Sequence, residues 1–307
     1  MKALVTGGAG FIGSNLVDYL LAEGHQVVVI DNESAECNDQ FYWNPSAENH
    51  KLDITDYDST RRLYNGIDAV FHLAAEARIQ PCIINPLKAV HTNMFGTATV
   101  LQCAREAGVK RVVYSSTSSA YGLKNAPPLK ETMPTDCLNP YSVSKVGGEQ
   151  LCKMYSDLYG LQTVVFRYFN VFGERQPFRG QYATVTGIFQ RLMEAGQPLT
   201  VVGDGEQQRD FIYVGDIARA NLLAATFDPP SPFYEWGQLY NIGFGSTYSV
   251  NEISSIFGAK EIVHLPPRQG EARHNLSDCT KAKNELGWSP CVDVRDWIRR
   301  SMRKETA

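Results

Sequence analysis

The sequence predicts an α/β protein in which a doubly wound parallel sheet precedes a smaller C-terminal α/β domain. Two observations favour this fold class. Short β-branched apolar runs alternate with longer stretches of helical periodicity, and a glycine-rich turn follows the first apolar run. The chain of 307 residues has room for one large or two ordinary domains. Its 43% hydrophobic and 20% charged residues are typical of a globular protein with a buried core.

The first half of the chain supplies the strands and helices of the predicted sheet in alternation. Buried strands are predicted at residues 3–5, 26–30, 69–73, 111–115 and 163–167. Stretches with helical spacing of apolar residues lie between them, at residues 12–22, 86–107 and 141–159. Gly24, Gly108 and Gly160 each follow one of these stretches, as a left-handed C-terminal cap requires. Strands connected through helices run parallel, with helices on both faces of the sheet.

The alternation breaks after about residue 168. Residues 173–181 and 227–237 are rich in Gly, Pro and aromatic residues. We therefore expect residues 1–168, with part of 211–242 returning to them, to form the first domain, and residues 169–307 to form most of the second. Ligands of open α/β sheets bind outside the carboxyl ends of the strands, so the cleft between the two domains is the expected site.

Composition argues against several classes of partner. The net charge of −4 disfavours nucleic acid and anionic membranes, and the apolar runs are too short to span a bilayer. The seven cysteines are scattered without a Cys-x-x-Cys pair, and the six histidines lack metal-ligand spacing. The chain leads into a strand and not into the apolar region of a signal peptide. We expect a cytoplasmic protein with no metal, no nucleic-acid partner and no membrane partner.

A glycine-rich turn connects the first strand to the first helix. Gly7 permits the tight turn, Gly10 lets the backbone approach a pyrophosphate, and Gly13 lets the helix pack against the strand. The helix N-terminus offers N–H donors and a partial positive charge to that anion. Asp31 ends the second strand, where a carboxylate accepts hydrogen bonds from adenosine ribose hydroxyls. This Rossmann-type arrangement favours NAD over NADP, because the carboxylate repels a 2′-phosphate.

Tyr141 and Lys145 open a predicted helix at positions that share one face. A free tyrosine has a pKa near 10 and is a poor base at neutral pH. A neighbouring lysine and the positive nicotinamide of an oxidised cofactor lower the tyrosine pKa and favour the phenolate. Thr117 ends the preceding strand on the cofactor side and offers a hydroxyl that bridges a substrate oxygen and the phenol. Thr117, Tyr141 and Lys145 are the predicted catalytic residues.

Together these elements resemble the NAD-dependent epimerase/dehydratase family of the extended short-chain dehydrogenases/reductases, and within it the UDP-glucose and other UDP-hexose 4-epimerases. The resemblance covers essentially the whole chain. Beyond the glycine turn and the tyrosine–lysine pair, it rests on segments at residues 53–54, 72–75, 93–97, 167–170, 209–212 and 267–271.

The resemblance implies a set of cofactor and substrate contacts. Cofactor contacts are expected from Gly7, Gly10, Phe11, Ile12, Gly13, Asp31, Asn32, Asp53, Ile54, Leu73, Ala74, Ala75, Asn93, Ser115, Tyr141, Lys145 and Tyr168. Substrate contacts are expected from Thr117, Asn170, Val201, Arg209, Arg268, Asn275 and Asp278. Two guanidiniums such as Arg209 and Arg268 can grip a nucleoside diphosphate through several charge-assisted bonds. The family's pyrophosphate-binding lysine has no clear match, and Arg78 is the candidate substitute.

The residues after the catalytic hydroxyl distinguish reactions within the family. Dehydratases resemble Thr-Asp-Glu there and decarboxylases carry a Glu, whereas this sequence has Thr117, Ser118 and Ser119. The acid–base pair that elimination of water requires is therefore missing. The remaining expectation is oxidation and reduction at C4 of the sugar. We therefore expect a UDP-sugar 4-epimerase that oxidises C4 transiently, turns the 4-keto intermediate over and reduces it again. A dehydratase or reductase of the same family and a non-catalytic NAD-sensing module are the alternatives.

The identity of the sugar depends on a few positions. Asn275 stands where glucose-selective epimerases place a bulky tyrosine, seven residues after the arginine that matches Arg268. The smaller side chain leaves space for an N-acetyl group, so UDP-GlcNAc and UDP-GalNAc are expected beside UDP-Glc and UDP-Gal. A UDP-glucuronate 4-epimerase is the alternative, because a uronic acid needs a polar or cationic partner near C6. The candidates for that partner are Arg78, Arg175, Arg179 and Arg273.

The oligomeric state is also implied by the resemblance. The helical stretches at residues 86–107 and 141–159 are similar to the helices that family dimers pack into a four-helix bundle. We therefore expect a homodimer.

Overall fold

The strands form one large sheet and two small ones in the computed structural model, which describes residues 1–35, 38, 40–178, 183–266 and 273–304. In chain order the strands are β1 (Lys2–Thr6), β2 (Gln26–Asp31), β3 (Glu48–Lys51), β4 (Ala69–His72), β5 (Arg111–Thr117), β6 (Gln162–Tyr168), β7 (Asn170–Phe172), β8 (Leu199–Val202), β9 (Gln208–Tyr213), β10 (Gln238–Ile242), β11 (Thr247–Ser249), β12 (Ile262–Leu265) and β13 (His274–Asn275). The large sheet has seven strands in the order β10-β6-β5-β4-β1-β2-β3, and all of its pairs are parallel. The predicted doubly wound parallel sheet is confirmed.

Helices connect these strands. They are α1 (Phe11–Ala22), α2 (Tyr57–Thr60), α3 (Ile79–Ile84), α4 (Pro86–Val90), α5 (Gly96–Glu106), α6 (Pro140–Tyr159), α7 (Val185–Glu194), α8 (Val214–Thr226), α9 (Val250–Ile256), α10 (Thr280–Leu286) and α11 (Val294–Lys304). A π-helical turn, His91–Phe95, joins α4 to α5, so the single helix predicted at residues 86–107 is one path in three pieces. Within the described part of the chain, no helix is long and apolar enough to cross a membrane.

Apolar side chains cover both faces of the large sheet. Because successive strand residues point to opposite faces, Val5 and Val29 lie in one core, whereas Leu4 and Val28 lie in the other. Side chains of α1 and α8 complete the first core, and side chains of α5 and α6 complete the second. Burial on both faces explains why these strands consist of continuous apolar runs and do not alternate apolar with polar residues.

One strand of the large sheet is not among the predicted strands. The four residues of β3, Glu48–Lys51, are polar; as an edge strand it pairs through its backbone with β2 alone. Part of residues 211–242 was expected to return to the first domain. Within that range, the strand that joins the large sheet is β10, which pairs with β6 at the opposite edge.

A second, smaller unit surrounds β9. This strand pairs in parallel with β7 and β13 and antiparallel with β11, while β8 pairs with β12. Its apolar core includes Phe172, Phe189, Phe211, Ile253 and Ile298. Since β9 leads directly into α8, which packs on the large sheet, one continuous segment fixes β9 relative to the first core.

The segment between α10 and α11 packs back onto the first core. Trp288 is fully buried there, and its Nε1 donates to the carbonyl oxygen of Asp216 over 2.9 Å. The Asp216 carboxylate accepts hydrogen bonds from the backbone N–H groups of Cys291 and Val292 at 2.8 and 3.0 Å. Residues beyond 280 therefore stabilise the large sheet as well as the second unit.

Truncation of Trp288 tests this contact. Trp288→Ala opens a cavity in the first core, so we expect the free energy of unfolding to fall by about 3–5 kcal/mol. Urea unfolding followed by circular dichroism measures the change. Phe233→Ala, at a side chain that is 90% exposed, is the matched control and is expected to have little effect. A loss for Trp288→Ala no larger than that of the control contradicts the assignment.

Candidate active site

A cleft of about 960 Å³ runs along the carboxyl ends of the central strands and continues into the second unit. It brings together most of the residues predicted to contact the cofactor: Gly7, Gly10, Phe11, Ile12, Gly13, Asp31, Asn32, Ile54, Leu73, Ala74, Ala75, Ser115, Tyr141, Lys145 and Tyr168. It also brings together four residues predicted to contact the substrate: Thr117, Asn170, Arg209 and Asn275. Residues that are distant in sequence therefore line one continuous cleft.

The glycine turn at one end of the cleft has no room for side chains. Gly7 has φ +70°, a left-handed conformation that glycine adopts without strain. A Cβ atom on Gly13 would lie 2.0 Å from the Gly7 carbonyl oxygen, so only glycine lets α1 start this close to the turn. Gly10 is the N-cap of α1 and no side chain caps this end, which leaves backbone N–H groups for an anion. This arrangement fits a dinucleotide pyrophosphate.

Asp31 lies beside this turn at the end of β2. Its Oδ2 accepts the Ala9 N–H at 3.0 Å and its Oδ1 accepts the Glu33 N–H at 2.8 Å. Burial raises the pKa of Asp31, and these backbone hydrogen bonds oppose the rise. Asn32, the next residue, donates from Nδ2 to Asp53 Oδ2 over 2.8 Å. Asp53 thus orients Asn32 on the cleft wall, and its contact with the cofactor stays a prediction.

Asn93 is a second predicted cofactor residue that has a supporting position. It lies in the π-helical turn and is buried. Its Oδ1 accepts the Glu76 N–H at 2.8 Å, and its Nδ2 donates to the Glu76 carbonyl oxygen and to Ser144 Oγ at 3.1 and 2.9 Å. Asn93 therefore ties the segment after β4 to the helix that carries Tyr141, and its cofactor contact stays a prediction.

The start of α6 fixes Tyr141. A capping box between Asn139 and Ser142 begins the helix, and Tyr141 lies in its first turn. Thr117 ends β5, and its Oγ1 accepts the Ser119 N–H at 3.1 Å, which leaves the hydroxyl proton for another acceptor. The hydrogen bond of Thr117 with the phenol lowers the pKa of Tyr141, although burial, the larger effect, raises it.

A positive charge also acts on Tyr141. Arg78, which lines the cleft just before α3, lowers the pKa of Tyr141, whereas the predicted effects of Lys145 and the nicotinamide stay predictions. Lys145 is only 3% exposed, and its Nζ lies 4.3 Å from the centre of the Tyr114 ring. Burial lowers the pKa of Lys145 to about 7, and the nearby Glu149 carboxylate opposes this shift. Arg78, which we expected at the cofactor or at the sugar, lines the same cleft as Tyr141.

A buried ion pair joins the strand of Thr117 to the helix of Tyr141. Arg167 on β6 donates from Nε and Nη2 to Glu149 on α6, at 2.9 and 2.6 Å. Ser116, next to Thr117 on β5, donates to the same carboxylate at 2.5 Å. The elements β5, β6 and α6 therefore meet at Glu149. No role for Glu149 was predicted from the sequence.

The part of the cleft in the second unit is organised by Asp210. Asn170 donates from Nδ2 to the Asp210 carbonyl oxygen over 3.1 Å, and β13 pairs Asn275 with Arg209. The Asp210 carboxylate is fully buried and accepts four hydrogen bonds, from Phe244 N, Gly245 N, Ser277 N and Ser277 Oγ. These bonds hold the loops on both sides of β9, and they position Arg209 and Asn275 beside each other.

Three predicted substrate residues are not placed in the cleft. Val201 is fully buried in the second core, and its neighbours Thr200 and Val202 line the cleft because strand residues alternate between faces. The Asp278 carboxylate accepts the Thr280 N–H at 2.9 Å and lies 3.8 Å from Lys130 Nζ, and its ribose contact stays a prediction. Arg268 lies outside the described residues.

The lining of the cleft limits its chemistry. Among the described lining residues, Asp31 is the single carboxylate, and it lies at the dinucleotide end. Around Tyr141 the lining offers the hydroxyls of Ser118 and Ser119 and the cations Arg78 and Lys145. No group of three metal-ligating side chains occurs in the described ranges. The site is equipped for proton transfer through a phenol, with no second acid or base of the carboxylate type beside it.

The buried ammonium of Lys145 gives a prediction on stability. Its pKa of about 7 in the folded protein lies below its ordinary value of 10.5, so the charge costs stability below pH 7 and the cost fades as the pH rises toward 10.5. We expect Lys145→Met to raise the melting temperature by about 2 °C or more near pH 6 and by less near pH 9.

Thermal unfolding of the NAD-free protein at both pH values measures this difference. Lys153→Met, at an exposed lysine on the same helix, is the control and is expected to show no such pH dependence. Equal shifts for Lys145→Met at the two pH values would refute a desolvation cost at Lys145.

Comparisons with known proteins agree with this geometry. The model of the NAD-dependent epimerase/dehydratase family matches residues 3–243. A UDP-glucose 4-epimerase of Mycolicibacterium smegmatis is 37% identical over 98% of this chain and 97% of its own. The solved UDP-glucose 4-epimerase of Thermotoga maritima, with UDP-glucose, has a TM-score of 0.91 at 36% identity and covers 100% of both chains.

A third relative differs in its sugar. The solved UDP-glucuronic acid 4-epimerase of Bacillus cereus, in complex with UDP-glucuronic acid and NAD, has a TM-score of 0.85 at 30% identity, covering 97% of both chains. A family model over most of the chain and relatives above 30% identity over nearly its full length establish membership. This chain belongs to the NAD-dependent epimerase/dehydratase family, and its cofactor is NAD.

Proposed function

We propose that this protein is a UDP-sugar 4-epimerase that regenerates its NAD in every cycle. The observation that carries the proposal is the composition of the cleft. Thr117 and Tyr141 lie in one space with a dinucleotide turn and with Asn170 and Arg209, while the described lining holds no carboxylate beside the phenol. Elimination of water or loss of a carboxyl group needs further acid–base groups, whereas redox at C4 needs only the phenol and the cofactor.

The residues present fit NAD along the first half of the cleft. The uncapped first turn of α1 at Gly10 suits the pyrophosphate, and Asp31 suits the adenosine ribose. Lys145 and Tyr168 line the stretch next to Tyr141, where the nicotinamide end belongs. When bound, NAD supplies reversible uptake of a hydride from the sugar carbon.

The chain itself moves and holds the proton. Tyr141 in its phenolate form accepts the proton of the 4-hydroxyl and becomes the neutral phenol, and Thr117, fixed by the Ser119 N–H, donates to the same oxygen and keeps it oriented. Asn170 and Arg209 hold the diphosphate while the 4-keto sugar turns over. After the sugar has turned its opposite face to the site, Tyr141 returns the proton to the 4-oxygen. The same phenol oxygen therefore serves both halves of the cycle.

The sugar-binding end supports a broad substrate range. Asn275 lines the cleft, and its short side chain leaves the width that a 2-acetamido group needs. We therefore expect UDP-GlcNAc and UDP-GalNAc to be substrates beside UDP-Glc and UDP-Gal.

Removal of one oxygen atom tests the reaction. Tyr141→Phe removes the proton acceptor and keeps the ring, so we expect turnover to fall by about 10³-fold or more while NAD and UDP-sugar bind with little change. NMR of C4 configuration in the products measures turnover, and calorimetry measures binding. Tyr159→Phe, at an exposed tyrosine on the same helix, is the matched control.

The products separate the proposed reaction from its alternatives. Release of a 4-keto-6-deoxy sugar by the wild-type protein indicates a dehydratase, and binding of NAD without any turnover indicates a sensing module. Near-normal turnover in Tyr141→Phe contradicts the assigned role of the phenol.

We infer that the protein pairs with a second copy of itself through α3, α4 and α6. These helices pack against one another and leave large apolar side chains exposed: Ile84 at 75%, Leu87 at 82% and Leu158 at 69%. An apolar face of this kind marks an interface. The resemblance to family dimers built on a four-helix bundle supports a second copy as the occupant.

A charge in this face tests the dimer. Leu87→Asp places a carboxylate where the partner helix packs, so we expect a monomer in sedimentation or light-scattering measurements. Phe233→Asp changes a side chain that is 90% exposed and belongs to the loop before β10, not to these helices, and is expected to keep the dimer. A monomeric wild-type protein, or a dimeric Leu87→Asp, contradicts the inferred interface.

We also infer a cytoplasmic location. The described cysteines, from Cys82 to Cys291, are all free thiols, which supports a reducing compartment.

A further inference from the structure

His72 is a buried polar side chain that the proposed mechanism does not use. It ends β4, is 1% exposed, and directly precedes the cleft-lining residues Leu73 and Ala74. Its ring lies between two threonines: Nδ1 is 2.7 Å from Thr6 Oγ1, and Nε2 is 2.9 Å from Thr97 Oγ1. A neutral imidazole has one donor and one acceptor nitrogen, so the partners decide which nitrogen carries the proton.

The two threonines place the proton of His72 on Nε2. Thr97 Oγ1 lies 2.6 Å from the Asn93 carbonyl oxygen, which can only accept, so the Thr97 hydroxyl donates to that oxygen. The Thr97 oxygen is then the acceptor for His72 Nε2–H. On the other side of the ring, Thr6 Oγ1 accepts the Ala74 N–H at 3.3 Å and donates its own proton to the bare Nδ1. With this tautomer, each of these protons has an acceptor.

The ring is neutral in these surroundings. Burial lowers the pKa of His72 to about 3, and the positive charge of Lys145 on α6 adds to that shift. Tyr114 on β5 lies beside the ring, with 5.5 Å between the ring centres, and burial raises its pKa, so this phenol is uncharged near neutral pH. Protonation of His72 would also turn Nδ1 into a second donor and displace the hydroxyl proton of Thr6.

The chain of hydrogen bonds continues from Asn93 to the helix that carries Tyr141. Asn93 Nδ2 donates to Ser144 Oγ at 2.9 Å, and Ser144 Oγ donates to the Tyr141 carbonyl oxygen at 2.9 Å. The orientation of the Asn93 amide is fixed, because its Oδ1 accepts the Glu76 N–H and a backbone N–H can only donate. The ends of β1 and β4 are therefore connected, through the π-helical turn, to the first turn of α6.

The other end of the chain of hydrogen bonds reaches the glycine turn. Thr6 pairs with His72 in the register of β1 and β4, and Gly7 follows Thr6 directly. A Cβ atom on Gly7 would lie 2.7 Å from the Ala74 backbone nitrogen, so the turn and the segment after β4 are in close backbone contact. The bond between Thr6 and His72 holds the two strand ends together at this contact.

We propose that His72 is a positioning residue that, as a neutral imidazole with its proton on Nε2, fixes Tyr141 relative to the dinucleotide turn. The proposal rests on the proposed function, because the group that is positioned is the phenol that moves the proton. Proton and hydride transfer need short, aligned contacts, so small displacements of the reacting groups lower the rate steeply. His72 acts through its partners, and its loss is therefore expected to lower kcat more than it changes KM.

Removal of a single hydroxyl tests the chain of hydrogen bonds in the NAD-loaded protein. Thr97→Val removes the acceptor of His72 Nε2–H, so we expect kcat for UDP-glucose to fall by about 10-fold or more, with KM changed by less than about 3-fold. Thr99→Val is the matched control, because Thr99 is also buried on α5 and its hydroxyl likewise donates four residues back, to the Phe95 carbonyl oxygen. An unchanged kcat in Thr97→Val, or an equal loss in Thr99→Val, overturns the proposal.

A double-mutant cycle tests whether the two ends of the chain of hydrogen bonds act as a unit. Thr6→Val removes the hydroxyl at the glycine turn, and Ser144→Ala removes the hydroxyl at α6. If His72 connects them, the double variant is expected to lose little more kcat than the more impaired single variant. Losses that multiply in the double variant show independent local effects and are incompatible with the proposal.

Nitrogen NMR of His72 tests the tautomer without any turnover. In the NAD-loaded full chain we expect a protonated Nε2 and a bare Nδ1 from about pH 6 to pH 9, with the signal assigned by its absence in His72→Gln. A proton on Nδ1, or titration within this range, contradicts the proposal. The expected tautomer in a wild-type protein that leaves C4 unchanged supports the chain of hydrogen bonds and overturns the proposed function instead.

Discussion

The buried contact of Glu149 with Arg167 and Ser116 is the constraint on which the arrangement of the active site depends. The carboxylate lies on α6, the guanidinium on β6 and the hydroxyl on β5, so one charged cluster sets the distance between the helix that carries Tyr141 and the strand that carries Thr117. A buried ion pair contributes little net stability, because desolvation offsets the attraction, but leaving one partner unpaired costs about 3–5 kcal/mol. That penalty disfavours any displacement of the strand relative to the helix.

The cleft is electrostatically asymmetric, and burial makes the asymmetry effective. Asp31 gives the dinucleotide end a carboxylate, whereas Arg78 and Lys145 give the reacting end positive charge. In a poorly solvated site these charges act over several ångströms with little screening. The phenol of Tyr141 therefore experiences the opposing effects of burial, which raises its pKa, and of a permanent cation, which lowers it. When NAD binds, the charge of its nicotinamide adds to these two opposing effects on the pKa of Tyr141.

Much of the site could be predicted from the sequence where chemistry and spacing are local. The glycine turn, Asp31 and the Tyr141–Lys145 pair all line the cleft, as expected. The sequence could not show the direction or the protein partners of individual side chains. Val201 and Val202 are indistinguishable by residue type, yet strand alternation buries the first and exposes the second to the cleft. Asn93 was predicted at the cofactor from its residue type, and only the structure shows that the π-helical turn also brings its amide to Ser144.

The sequence by itself determined the parallel sheet, the dinucleotide turn and the shared helix face of phenol and lysine, because apolar periodicity and short-range spacing act within a few residues. Only the tertiary structure decided that Glu149 meets Arg167 and Ser116, and that β10 is the part of residues 211–242 that joins the sheet beside β6. These pairings join segments far apart in the chain. Which distant segments meet depends on the packing of the whole protein, and no local pattern encodes it.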